Sequence, residues 1–149
     1  MPRSRHNVPQ VRSRVVRVRP ADEEHQVLTI TGITGKAGHC HSPCPRCPWR
    51  KDAVGVFPAE AFRHSAETAL DMSTHTFACH AAGAEHPLLC AGFLLSESAD
   101  HNLAVRLRRL RQGKLEDVSS GGLDLFPTYR AMAEANGVAP DDPALAGTR

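Results

Sequence analysis

Four cysteines and a histidine in the middle of the chain constrain its fold more than any other feature. They are Cys44-Pro45-Arg46-Cys47, then Cys79-His80, then Cys90. Thiols and an imidazole drawn from separate stretches point to a closed metal site around which a small domain arranges its loops. A Cys-x2-Cys turn sets both sulfurs on one side of a tight loop. Pro43, Pro45 and Pro48 bracket that turn; each holds its own φ near about −65°, so ordering the loop costs less entropy. The 31 residues between Cys47 and Cys79 leave room for a helix to cross and return, and the ten between Cys79 and Cys90 make one loop.

The compartment decides what clustered cysteines do. No apolar run approaches the ~20 residues of a membrane span, and the charged N-terminus lacks the apolar stretch of a secretory signal. These features predict a cytoplasmic protein with no membrane partner. In a reducing compartment such cysteines are metal ligands before they are disulfides, and the total of five is odd.

Four cysteines, Cys44, Cys47, Cys79 and Cys90, form the expected ligand set, with His80 as the alternative ligand. Adjacent residues of an extended strand face opposite ways, so Cys79 and His80 share one metal only if the backbone turns there. Cys40, between His39 and His41, reads as a spare thiol. Four thiolates around a divalent ion leave a net negative site. Arg46 and Arg50 offset it and Trp49 shields it, so Trp49, Arg50 and His80 are the expected supporting residues. Zinc is the expected metal. The alternative is an iron–sulfur cluster, in which a proline often follows a ligand cysteine as Pro48 follows Cys47. Full protein ligation leaves no open position, which favours a structural role over catalysis.

With 149 residues the chain suits one domain. The expected fold is α+β: short strands and about three helices organised around the cysteine site. Residues 1–12 form a basic arm, 13–137 the domain and 138–149 an extended acidic tail. Strands are expected at 14–19 and 27–31, paired through a turn at Asp22-Glu23-Glu24. A helix begins at Pro58 and runs to about Leu70, with Phe62, Ala66 and Ala69 inward. Residues 76–80 and 90–95 read as extended. A further helix spans about Asp100 to Gln112, with Leu103, Leu107 and Leu110 as its apolar stripe. The last starts near Pro127 and stops at Asn136-Gly137.

Net charge is only +2, but residues 1–20 carry six arginines and no acid. A second basic run lies at Arg106, Arg108, Arg109, Arg111 and Lys114. Arg12, Arg14, Arg106, Arg108, Arg109 and Arg111 are therefore candidate contacts to nucleic acid or an acidic protein. Catalytic motifs are sparse. The zinc-deaminase signature requires His-x-Glu upstream of the cysteine pair, and that is missing. A redox Cys-x2-Cys should follow a clean strand, whereas glycines precede this one. His80, His101 and Asn102 suggest a metal-supported hydrolase or nuclease as a third reading, although Asp100 and Asn102 more simply cap a helix. The expectation is a binding or regulatory module, with enzymatic activity left open as the less favoured reading.

The blocks Pro43-Cys44-Pro45-Arg46-Cys47-Pro48-Trp49-Arg50, Phe77-Ala78-Cys79-His80 and Cys90-Ala91-Gly92-Phe93 resemble a family of small uncharacterised cysteine-rich proteins. That family, a domain of unknown function, belongs mainly to high-GC bacteria and their phages. The resemblance spans roughly residues 40–112. It implies that Cys44, Cys47, Cys79, His80 and Cys90 are the functional set, and it implies no activity.

Overall fold

The computed structural model describes residues 13–31, 38–113 and 117–149. Strands β1 (Arg14–Pro20) and β2 (Gln26–Thr31) pair antiparallel, with a bulge between Val15 and Arg17. Asp22 closes their turn: its Oδ1 accepts from the backbone N–H groups of Glu24 (2.9 Å) and His25 (2.6 Å). The side chain thus replaces a backbone turn partner, as short acidic residues do. The arm at 1–12, including Arg12, lies outside the described residues, as does Lys114.

Five α-helices follow in the described residues: α1 (Ala59–Ser65), α2 (Ala91–Leu94), α3 (Glu97–Asp100), α4 (Leu103–Gln112) and α5 (Tyr129–Ala135). Three of them have seven residues or more, and with the hairpin they make a small α+β domain. Pro58 precedes α1, which tightens into a 3-10 turn over Ala66–Ala69. Phe62, Ala66 and Ala69 are buried, the face that the spacing predicts. Side chains cap three helices at their N-termini: Ser96 for α3, Asn102 for α4 and Thr128 for α5. Asn102 is fully buried, and its amide also donates to Thr68 O and His75 O. It ties the start of α4 to two other segments. Asp100 instead pairs with Arg109 at 2.7 Å.

The core gathers around Trp49, which is fully buried and meets Phe77, Phe93 and Tyr129 at ring-centroid distances of 5.8, 6.1 and 6.0 Å. Edge-on rings at this spacing add electrostatic attraction to buried area.

Three elements depart from expectation. Residues 91–94, read as extended, are helical. Ala91, Gly92, Phe93 and Leu94 are all buried, and a run buried on every side has no amphipathic period to tell strand from helix. On α4 the leucine stripe is not the buried face. Leu107 is 41% exposed and Leu110 83%, while Val105 is fully buried. Asn102 fixes the helix's rotation from its first turn, and that anchor outweighs the stripe. Finally, 138–149 does not run extended. It makes a 3-10 turn at Pro143–Leu145 and buries Val138 and Leu145. Asp142 holds Arg63 at 2.8 Å, and the Arg149 N–H bonds Ala69 O.

Candidate metal centre

The cysteine pair sits in two successive turns. Cys47 N–H donates to Cys44 O and Arg50 N–H to Cys47 O, each at 3.0 Å. Three extended segments supply the other thiols, with 88–90 in the middle. On one side Cys79 N–H donates to Leu88 O (2.8 Å) and Cys90 N–H to Phe77 O (2.9 Å). On the other, Cys40 N–H donates to Leu89 O (2.9 Å) and Leu89 N–H to Gly38 O (3.1 Å). Ala78 and Leu89 pair antiparallel, His39 and Leu89 parallel. This small ladder carries Cys79, Cys90 and Cys40 to the knuckle.

The result is a gathering of five cysteines, none of them disulfide-bonded. Cys47 Sγ lies 3.6 Å from Cys90 Sγ, and Cys44 Sγ lies 3.7 Å from His80 Nδ1. Ideal edges of a tetrahedral zinc site are about 3.8 Å between two sulfurs and about 3.6 Å between sulfur and nitrogen, from the usual bond lengths. Both pairs therefore have the span of one edge. They stand as two half-sites: among the described residues, no three of these sulfur and imidazole atoms lie within 4.8 Å of one another. The donor types fit a zinc-class ion, and closing the site requires the two pairs to draw together. Cys79 interacts with both Cys44 and Cys40.

Protons are shared unequally. Burial pushes the Cys44 thiol up to about 11, aided by Cys79 and Cys47. Burial likewise pushes Cys40 up to about 12, aided by its bond to Cys79. The bond between Cys47 and Cys90 splits that pair. It lowers Cys47, which backbone N–H groups of Trp49 and Gly92 and the Arg50 charge also favour as thiolate. It raises Cys90 well above the ordinary range, with burial adding to the rise.

His80 clarifies the question of adjacency. The backbone turns into a 3-10 helix at His80–Ala82 immediately after Cys79, so the two side chains are freed from opposite faces. Burial and then the Arg46 charge lower the His80 pKa, which favours the neutral ring that a metal requires. Its ring also packs edge-on against Phe57. Arg50 donates to Cys44 O (3.4 Å) while gripping Asp52 through two 2.7 Å bonds. Trp49 closes the inner wall. A Cβ on Gly92 would come 2.5 Å from Trp49 Cβ and 3.0 Å from Cys47 Sγ, so only glycine lets α2 approach the knuckle.

The candidate arginines are not one uniform surface. Arg109 is committed to Asp100 and to Leu94 O, and Arg106 lies against Met72 Sδ at 3.6 Å. Arg14 is exposed on β1. Arg108 and Arg111 instead line a cavity of about 880 Å³ between β2, α4 and the cysteine region. Phe77, Ala78, His80 and Leu89 supply its floor. Arg108 Nε is buried with no hydrogen-bond partner among the described residues, and burial lowers that guanidinium's pKa. His101 faces Asp71 at 3.6 Å, and Asn102 is the buried cap already described.

Spacing arguments miss two features. Cys40 joins the cysteine gathering through the Leu89 bridge. Asp117 meets both His39 and His41, at 3.0 and 2.9 Å. The only advance signal was the alternation His-Cys-His.

Residues 39–149 match a family of unknown function, DUF6283. The match extends beyond the stretch of resemblance to take in α5 and the final residues, and it leaves out the hairpin. No curated protein and no solved structure matches the chain.

Proposed function

The chain belongs to DUF6283, a family whose function is unknown, and from its geometry we propose a metal-organised binding module. Zinc, held by Cys44, Cys47, Cys79 and Cys90 with His80 alongside, is its structural cofactor. The observation that carries this reading is the convergence of unbridged cysteines from three separate chain segments in edge-length pairs. In this reading the metal fixes the loops that form the cavity floor, and the open space above is where a partner is met.

The cavity volume falls within the usual range for small-ligand sites. Its walls mix aliphatic and aromatic side chains with hydroxyls, amides, imidazoles and arginines, and its one carboxylate among the described residues, Glu67, is paired with Arg19; Arg108 and Arg111 then favour an acid with an apolar or aromatic body. A phosphate or carboxylate would satisfy the Arg108 Nε, which has no hydrogen-bond partner among the described residues. A single-stranded nucleic acid end is one such partner, and a small organic acid is another. Elemental analysis with an absorbance spectrum of the anaerobically purified protein tests the cofactor. Zinc in a colourless protein, one equivalent of it lost in Cys47→Ser, supports it. Brown colour and iron would replace it with the iron–sulfur alternative. For the partner, a labelled single-stranded oligonucleotide and a nucleoside monophosphate are titrated at low and physiological salt. Binding of the nucleotide weakened by Arg108→Gln supports the cavity. Steep salt dependence for the oligonucleotide alone would move the contact to the exposed arginines. No binding of either at low salt removes the acidic-partner reading.

A further inference from the structure

His39 bridges to Leu89, and His41 lies at a bend just beyond it. Cys40 turns toward Cys79 and the sulfur cluster. His39 and His41 instead meet each other, with ring centroids 5.3 Å apart. Asp117 meets them there with a different oxygen for each: Oδ1 lies 3.0 Å from His39 Nε2, and Oδ2 lies 2.9 Å from His41 Nδ1. We propose that His39, His41 and Asp117 form a second metal site, distinct from the cysteine set, that takes a borderline divalent ion such as zinc.

Three arguments support it. The first is chemical. Two imidazoles and one carboxylate are a donor set for zinc, cobalt, nickel or iron(II), whereas a thiolate set takes zinc, copper(I) or an iron–sulfur cluster. The second is geometric. The three ligand atoms lie within 4.8 Å of one another, the only such group among the described residues. Metal–ligand bonds of the usual length place neighbouring ligand atoms about 2.9–3.4 Å apart, from octahedral to tetrahedral. The two short distances here are at the lower end of that range, so small side-chain shifts admit the ion as it displaces the N–H protons. The third is preorganisation. Backbone bonds from both sides hold the ligand-bearing segments: Leu89 pairs with 38–40, and Ser119 N–H donates to His41 O at 2.8 Å. That last bond brings Asp117, two residues earlier, beside the histidines. His41 and Asp117 are exposed. A bound ion would keep water in its remaining positions, so this site is open where the cysteine set is closed.

The competing account is a latch, in which Asp117 simply hydrogen-bonds two imidazoles. Equilibrium dialysis against zinc separates them, using the full chain and two variants, Asp117→Asn and His39→Ala/His41→Ala. The proposal expects each variant to hold one equivalent fewer than the wild type. That difference stands whether the cysteine set binds one ion or none, so the two readings fail independently. With cobalt, the intense near-ultraviolet bands from thiolate ligation should be unchanged in both variants, and weak visible bands should diminish. If the double variant misfolds, Asp117→Asn alone decides, because asparagine keeps the size and one hydrogen-bonding oxygen. Equal zinc stoichiometry in the wild type and Asp117→Asn overturns the proposal in favour of the latch. Loss of the equivalent in Cys40→Ser, with retention in Asp117→Asn, also overturns it by assigning the ion to sulfur.

Discussion

One three-residue segment separates two chemically opposite regions. Cys40 joins four other thiols, three of them buried, while its neighbours, half-buried His39 and exposed His41, meet the exposed carboxylate of Asp117. The buried set perturbs its own protonation, since neighbouring thiols cannot all ionise in a low-dielectric surround. The exposed set is hydrated and costs little to assemble. A metal in the first would bind many loops together; a metal in the second would join only 38–41 to 117–119. The same element types thus predict a structural site inside and an exchangeable one outside.

The largest expected effect is at the buried set. Cys47→Ser should abolish the sulfur-held zinc and destabilise the protein by about 4 kcal/mol or more, the scale of losing a structural metal. Metal content and thermal unfolding measured together check this. Retention of zinc at full stability would erase the distinction between the regions.

Gly92→Ala comes next. The added methyl would meet Trp49 and Cys47 at 2.5 and 3.0 Å. Overpacking of this kind costs about 1–3 kcal/mol, and here it should also loosen zinc, because the clash is with the knuckle. Denaturant unfolding with and without metal reads both effects.

Protonation sharpens the comparison further. In the metal-free protein Cys44 is raised from 9.0 to about 11, so the folded state holds that proton more tightly than the unfolded chain does. The resulting stability is present below about pH 9 and is lost as pH rises through about 11. The metal-free protein should therefore weaken over this window, while the zinc-loaded protein, whose thiolates need no proton, should not. Zinc loading should also release protons, detectable with an indicator dye in weak buffer, and zinc affinity should fall as pH falls.

The smallest effect belongs to the exposed set. Asp117→Asn should cost about 1 kcal/mol or less, the usual limit for exposed ion pairs. A larger drop in melting temperature would show that the surface cluster is as structural as the buried one.

Legibility in the sequence followed the range of the interactions. The hairpin, the start of α1 at Pro58 and its inward face at Phe62, Ala66 and Ala69 were all readable, because turn residues and periodicity act over a few positions. So was the end of α5 before Gly137, whose φ is +95°. The helix at 91–94 was not readable, because its uniform burial erases the period that distinguishes helix from strand. The rotation of α4 was misread because a buried polar anchor, Asn102, outweighs a leucine stripe whose covering partner cannot be known from the stripe. In the candidate site, the Cys44–Cys47 knuckle and the three further candidates, Cys79, His80 and Cys90, were visible as residue types at workable spacings. The roles of Cys40 and Asp117 were not, since each depends on a backbone pairing with a residue far along the chain.

By itself, the sequence determined the chemistry of the donors and the local geometry of one turn: soft sulfur at 44 and 47, stiffened by flanking prolines. Covalent structure and short-range sterics suffice for that. Only the tertiary structure decided which distant groups meet. Leu89, pairing with 38–40 on one side and 77–79 on the other, carries Cys40, Cys79 and Cys90 to the knuckle. The same ladder places His39, and with it His41, beside Asp117. These encounters depend on hydrogen bonds across tens of residues, which local residue pattern does not encode.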